Sequence, residues 1–181
     1  MKKLFLVGAL ALFGAMNAQE NSIKANPLAF IGTGSDMVTY ERVIGGTSSV
    51  GVGAGYGSYK IAGTKYTNIG GTIFYRYYFS EALKGWYGMA NVAYNNGTIK
   101  YDQDFFGDDD GEDKDKFNSF GGGVRAGYQF LWDSGFTLDL NAGFTYVSFS
   151  YKNDNDAGFG DLGLKASGIV PSFGLGLGYS F

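Results

Sequence analysis

The chain has 181 residues, enough for one domain and short for two. Thirty-one glycines, 18% aromatic residues and only two prolines favour strands over helices. A net charge of −3, or −5 without Lys2 and Lys3, argues against nucleic-acid binding. Cysteine and histidine are both absent, which excludes a disulfide framework, a thiolate metal site and a Ser-His-Asp triad.

The first element is a processing segment. Lys2 and Lys3 form a basic n-region, residues 4–13 an apolar run, and Met16-Asn17-Ala18 ends on a small residue. This pattern predicts a signal peptide over residues 1–18, cleaved between Ala18 and Gln19, with 19–181 left as one domain. The apolar run is well short of the ~20 residues that a spanning helix needs.

From residue 22 the pattern is strand, turn, strand, with Gly, Asn, Asp and Ser marking the turns. Eight strands are expected, over 22–31, 36–44, 49–60, 67–79, 85–101, 117–132, 136–151 and 167–181. Each has the roughly nine or more residues that a tilted membrane-crossing strand requires. The connections after the second, fourth and sixth strands are short, whereas 102–116 and 152–166 are long and polar. Short turns on one rim and long loops on the other is the asymmetry of an outer-membrane barrel. Trp86, after one short turn, and Trp132, before another, fall on the short-turn rim. Tyr77, Phe79, Tyr179 and Phe181 join them there, giving an expected aromatic girdle at the headgroup level.

Alternation assigns the two faces of each strand. In the fourth strand Ile69, Ile73, Tyr75, Tyr77 and Phe79 face lipid and Arg76 faces inward. In the sixth, Phe120, Val124, Ala126, Tyr128, Phe130 and Trp132 face out, leaving Arg125 and Gln129 inside. The same reading sends Asp139 and Glu41 inward and Arg42 outward, where it must snorkel to the interface. An eight-stranded barrel is filled by its own side chains. Glu41, Arg76, Arg125 and Asp139 sum to zero charge and are therefore expected to form an ion network that plugs the lumen; a gate whose pairs exchange is the functional rival.

Two motifs suggest ligands at first sight. The segments beginning at Gly51, Gly123 and Gly174 look like phosphate-binding glycine loops, but no helix and no Gly-Lys-Ser/Thr follows, so they are one strand type reused with glycine facing a crowded interior. The 102–116 loop carries eight acidic residues against two lysines, which makes Asp108, Asp110 and Glu112 candidate calcium ligands. EF-hand spacing fails there, because alignment on Asp108, Asp110 and Gly111 puts Phe106 at the first ligand position and Phe117 at the last. A solvated loop is the better reading, with Phe105 and Phe106 as a candidate contact patch, and no cofactor is expected.

The last strand carries a resemblance. Phe173, Leu175, Leu177, Tyr179 and Phe181 alternate with Ser172, Gly174, Gly176, Gly178 and Ser180. Gly176, Tyr179 and Phe181 resemble the C-terminal assembly signal of bacterial outer-membrane barrels, although the polar residue expected near Gly174 is missing. Further, Asn26-Pro27-Leu28, Tyr40-Glu41-Arg42 and Arg76-Tyr77-Tyr78-Phe79 resemble segments of small uncharacterised barrels of the Bacteroidetes type, and the whole chain after residue 18 is similar to OmpX-like and OmpA-like barrels.

This resemblance implies an all-β, eight-stranded, antiparallel up-and-down transmembrane β-barrel in the outer membrane of a Gram-negative bacterium. Its termini would be periplasmic and its loops extracellular. Its partners would be outer-membrane lipid, the barrel-assembly machinery acting through the last strand, and an unidentified extracellular partner. A monomer with a structural or surface-interaction role through 102–116 and 152–166 is expected, with no enzymatic activity. The alternatives are a narrow channel for small solutes and a secreted or periplasmic soluble β-barrel that binds a small apolar ligand.

Overall fold

The computed structural model describes residues 19–30, 36–61, 64–101, 114–153 and 165–181. The expected signal peptide, the candidate calcium ligands Asp108, Asp110 and Glu112, the pair Phe105 and Phe106, and the tip of the 152–166 loop lie outside the described residues.

Eight antiparallel strands close in sequence order into one barrel: β1 Asn21–Ala25, β2 Val38–Gly45, β3 Ser48–Ile61, β4 Thr64–Tyr78, β5 Gly85–Tyr101, β6 Lys114–Leu131, β7 Phe136–Asn153 and β8 Lys165–Ser180. Closure comes from β1 against β8, where Ser22 pairs with Ser180 and Ala25 with Leu177. The N–H of Asn21 and the carbonyl of Phe181 add a bond of 2.8 Å at the rim. With every strand paired, the fold has no free sheet edge along the half of the wall that carries the termini.

β5 has its expected limits, whereas β6 begins at Lys114 and β7 ends at Asn153, so that these two run into the polar loops as a paired ribbon from Asp115 and Asn153 down. The first strand is shorter than expected. It stops at Ala25 instead of Ile31, and Pro27–Phe30 forms a 3-10 turn. Two local causes act together. Pro27 has no N–H for a ladder, and the Asn26 carboxamide accepts the N–H of Leu28 at 3.1 Å, folding the chain back on itself.

Side-chain facing follows strict alternation. On β4, Ile73 is 62% exposed on the outer face and Arg76 only 5% on the inner face. The outer face exposes large apolar side chains on every strand, among them Val52, Val92, Val124, Phe144 and Phe173. The interior carries the buried charges Lys24, Glu41, Arg76 and Asp139 with the buried amides Asn68, Asn91, Asn95 and Gln129. This is the reverse of a water-soluble barrel.

The rim that carries the termini is closed. Tyr78, Tyr87 and Leu83 are fully buried there, and Phe74 and Met89 complete an apolar cluster. Leu83 reaches its place through a left-handed backbone (φ 67°), a strain of about 1–3 kcal/mol for a non-glycine residue. The Ser80-to-Lys84 turn is thereby folded across the barrel end, where the N–H of Ala82 bonds the carbonyl of Gly46 at 2.9 Å. Thr137 and Ser180 share a hydroxyl bond of 2.8 Å beside it.

Close packing inside explains one of the repeated glycines directly. Gly127 sits opposite Tyr87 on the β5–β6 ladder, and a Cβ on it would lie 2.5 Å from the ring and 2.7 Å from the carbonyl oxygen of Leu140. A Cβ at Gly88 would meet nothing within 4 Å. Gly127→Ala should therefore lower stability by about 1–3 kcal/mol, and Gly88→Ala should stay within about 0.5 kcal/mol of the parent. Equilibrium urea unfolding in detergent micelles, followed by the heat-dependent shift on a gel, checks both; equal midpoints for the two variants would contradict the packing argument.

Candidate functional site in the barrel lumen

The lumen is built around four ionised side chains, each delivered by a different strand. Lys24 from β1 points inward because it shares the parity of Ser22 and lies opposite Ile23 and Ala25. Its ammonium contacts Glu41 Oε2 of β2 at 2.7 Å, Asp139 Oδ2 of β7 at 2.8 Å and Gln129 Oε1 of β6 at 2.8 Å. Three donors meet three acceptors, which saturates the ammonium. Arg76 from β4 supplies the second cation, with Nη1 at 2.6 Å from Asp139 Oδ2 and 3.2 Å from Glu41 Oε2.

The remaining carboxylate oxygens are also satisfied. Glu41 Oε1 accepts the hydroxyls of Tyr78 at 2.8 Å and Ser49 at 2.5 Å. Asp139 Oδ1 accepts the Tyr87 hydroxyl at 2.5 Å. The guanidinium of Arg76 stacks over the Tyr87 ring, 4.3 Å from its centroid, and sends Nε toward Met89 Sδ. Two cations and two anions thus cancel inside a shell of hydroxyls and one ring face. Lys24 is 2% exposed and Glu41 0%, so the attraction is not screened as a surface pair would be. The cluster reaches across the bore from β1 and β2 to β4 and β7.

The expected set Glu41, Arg76, Arg125 and Asp139 is therefore divided by the structure. Glu41, Arg76 and Asp139 meet, while Arg125 lies nearer the long-loop rim, 3.6 Å from Asp36 and 3.4 Å from the Asn141 side-chain oxygen. Lys24 takes the place given to Arg125. It was missed because Glu41, Arg76, Arg125 and Asp139 already balance, so the sum asked for no further cation. Its parity with Ser22 was the available signal.

Above the ion cluster the lumen widens into a chamber of about 370 Å³ toward the long-loop rim. Asp36 and Arg125 stand in it, with Asn91, Asn95 and Ser119 on the β5–β6 wall.

The aromatic residues expected at the rim stand on the outer face near the short turns. Trp86, Trp132, Tyr77, Phe79 and Tyr179 are exposed, and Phe181 stacks on Tyr179 at 6.5 Å. The belt is more continuous than expected. Trp86 meets Tyr128 at 5.2 Å, Tyr128 meets Phe130 at 4.6 Å, and Trp132 is flanked by Phe130 and Phe136. Arg42 is exposed on the outer face, as its parity requires. Of the expected assembly residues, Tyr179 belongs to this belt, whereas Gly176 faces the lumen, where a Cβ would lie tightly on Asp139 Cβ at 3.2 Å and in contact with Lys24 Cδ at 3.4 Å. Among the described residues no group of three carboxylates is placed to hold a metal ion.

These features define a closed eight-stranded antiparallel barrel with an apolar outer wall and a charge-neutral polar interior. The chain belongs to a family described as proteins of unknown function, DUF3575, whose profile matches residues 4–161. It is also similar in structure to a major outer membrane protein from Thermus thermophilus, at 16% identity and a TM-score of 0.47, covering 91% of this chain and 100% of that one. No curated protein matches the chain.

Removing one cation leaves two buried carboxylates on a single guanidinium. Lys24→Met should cost about 3–5 kcal/mol of unfolding free energy, and Arg125→Met, whose pair is longer and more exposed, under about 1 kcal/mol. Combining Lys24→Met with Glu41→Leu keeps the Arg76–Asp139 pair and should cost at least about 1 kcal/mol less than the two single changes together. Denaturant midpoints of the four variants in micelles decide this; strict additivity would mean that Lys24 and Glu41 act independently.

Proposed function

We propose that the protein is an integral outer-membrane barrel with a side-chain-closed lumen, which stabilises the membrane and presents the 102–116 and 152–166 segments at the cell surface. One observation carries this reading: large apolar residues cover the outside of the barrel, and the four buried charges, Lys24, Glu41, Arg76 and Asp139, are inside it. A chain in water has no reason to expose Ile69, Ile73, Val124, Phe144 and Phe173 together, whereas lipid requires it. The belt of Trp, Tyr and Phe near the short turns supports an interface at that rim. With the usual sense of such barrels, this rim and both termini face the periplasm and the long loops face outward.

The Asn26-Pro27-Leu28, Tyr40-Glu41-Arg42 and Arg76-Tyr77-Tyr78-Phe79 segments are consistent with a small OmpX-like barrel of the Bacteroidetes type. Tyr179 and Phe181 at the end of the closing strand suit recognition by the barrel-assembly machinery. The reading assigns no enzymatic role and takes the barrel as a monomer. A channel would need the Lys24–Asp139 and Arg76–Asp139 pairs to separate, because they join strands that are not neighbours in the wall.

The protein should fractionate with outer membranes and migrate in a heat-modifiable way on detergent gels. In planar bilayers at physiological salt it should show no steady conductance. Recovery as a soluble protein without detergent would overturn the membrane reading, and a steady unitary conductance would overturn the closed lumen.

A further inference from the structure

The two halves of the wall differ in a way that the fold itself dictates. Because β1 ends at Ala25, its pairing with β8 stops at Leu177. Above that point β8 runs on to Lys165, bonded to β7 along its whole length but with no ladder partner on the β1 side among the described residues. The 3-10 turn Pro27–Phe30 packs against β8, and its Leu28 and Ala29 line one cavity with Val170, Pro171, Ser172 and Phe173. Residues 167–171 of β8 are exposed irrespective of which face they belong to, which a strand within a closed wall would not show. Pro171, with no N–H to give a neighbour, suits an edge.

The chamber reaches this edge. Its lining joins lumen groups such as Asn91 and Asn95 to Leu28, Pro171 and Phe173. Phe173 belongs to the lipid-facing set and is 67% exposed. A cavity bounded both by inner side chains and by an outer-face ring passes through the wall between the 3-10 turn and β8.

The polar side of the chamber is unsatisfied. Oδ1 of Asn91, Oδ1 of Asn95, Nε of Arg125, Oγ1 of Thr145 and Oγ of Ser172 are buried without a hydrogen-bond partner among the described residues. Asn91 and Asn95 are themselves 9% and 8% exposed. Such groups require partners. The chamber's charges cancel between Arg125 and Asp36, so a charged head group would find no net counter-charge. Its volume of about 370 Å³ is in the range of small-ligand sites, about 300–1,000 Å³.

We propose that this chamber binds a single-chain amphiphile with an uncharged, hydroxyl-bearing head, which enters from the membrane between the 3-10 turn and β8. The head bonds Asn91 and Asn95, and the acyl chain leaves past Leu28 and Phe173 into the lipid. The inference rests on the proposed function only in needing a bilayer around the barrel.

The test uses bromine quenching of a single tryptophan in the full barrel, reconstituted in phospholipid nanodiscs with Trp86 and Trp132 replaced by Phe. Phe149 lines the chamber and lies on the ladder row Gly70–Asn95–Ser119–Phe149, and Ile69 beside that row faces lipid. F149W and I69W are compared, each after its heat-modifiable band shows folding. A dibrominated monoacylglycerol should quench F149W saturably, with competition by the unbrominated compound, and quench I69W only in proportion to its mole fraction. The double change Asn91→Leu and Asn95→Leu should raise the half-saturating fraction by about tenfold or more, as expected for two lost hydrogen bonds.

Linear quenching of F149W, equal quenching of it by brominated phospholipid, equal competition by free glycerol, or an unchanged half-saturation in the Asn91/Asn95 variant would each overturn the proposal. Brominated phospholipid must quench I69W; if it does not, the membrane reading fails and the inference with it. Quenched I69W beside unsaturable F149W defeats the inference alone.

Discussion

The structure depends on the four-charge cluster of Lys24, Glu41, Arg76 and Asp139. Counting the groups that bond directly to it, Ser49, Tyr78, Tyr87 and Gln129, every strand from β1 to β7 places a side chain in the cluster. Strands that are only neighbours in a ladder would be held by their backbone bonds. Here β1 and β7, which do not touch, are joined directly by Lys24 and Asp139 at 2.8 Å. Removing any one charge leaves a neighbour uncompensated in a place that water reaches poorly, which is why a buried set of this kind is costly to break even where it adds little net stability.

The same short β1 that supplies Lys24 sets the limit of the closed wall. Its five residues bring the ammonium to the centre and close the barrel against β8 over four pairs. Then Pro27 ends the ladder. The lower half is therefore both sealed and cross-braced, with Leu83, Tyr78 and Tyr87 beneath the ions. The upper half has a polar chamber and a strand edge, and Met37 covers part of the opposite edge by accepting the Tyr56 N–H at 3.1 Å on its sulfur. Rigidity and access are separated along the barrel axis by one proline-directed turn.

Much of this was legible in the sequence, because period two has only two answers. Once Ile73 and Tyr75 are set on the outer face, Arg76 must face the lumen, and the same step assigns Glu41, Asp139 and Gln129. The end of β1 was not legible from alternation, since 22–31 reads as continuous; the stop comes from a side-chain bond of Asn26 and the ring of Pro27. Partner choice was the other gap. Parity says that a charge points inward but not at what height, and the height separates Arg125 with Asp36 from Arg76 with Asp139. The neutral sum that made Arg125 look sufficient hides two balanced groups at two levels.

β8 shows how a strand can serve a site without adding a side chain to it. The family match over residues 4–161 ends before this strand and covers every residue of the ion cluster. What β8 gives the cluster is room. A methyl group at Gly176 would sit tightly on Asp139 and touch Lys24, while one at Gly178 would collide with the Ile23 carbonyl and one at Gly174 with the Asn141 side chain. The alternation of glycine with Leu175, Leu177 and Tyr179 thus has two causes on its two faces. The large residues stand on the exposed outer face, and at 174, 176 and 178 the backbone of β1 and the side chains of Lys24, Asp139 and Asn141 leave little room inside. A closing strand of this composition lets the wall come close to β1 and to Lys24, Asp139 and Asn141 where larger residues would have to displace them.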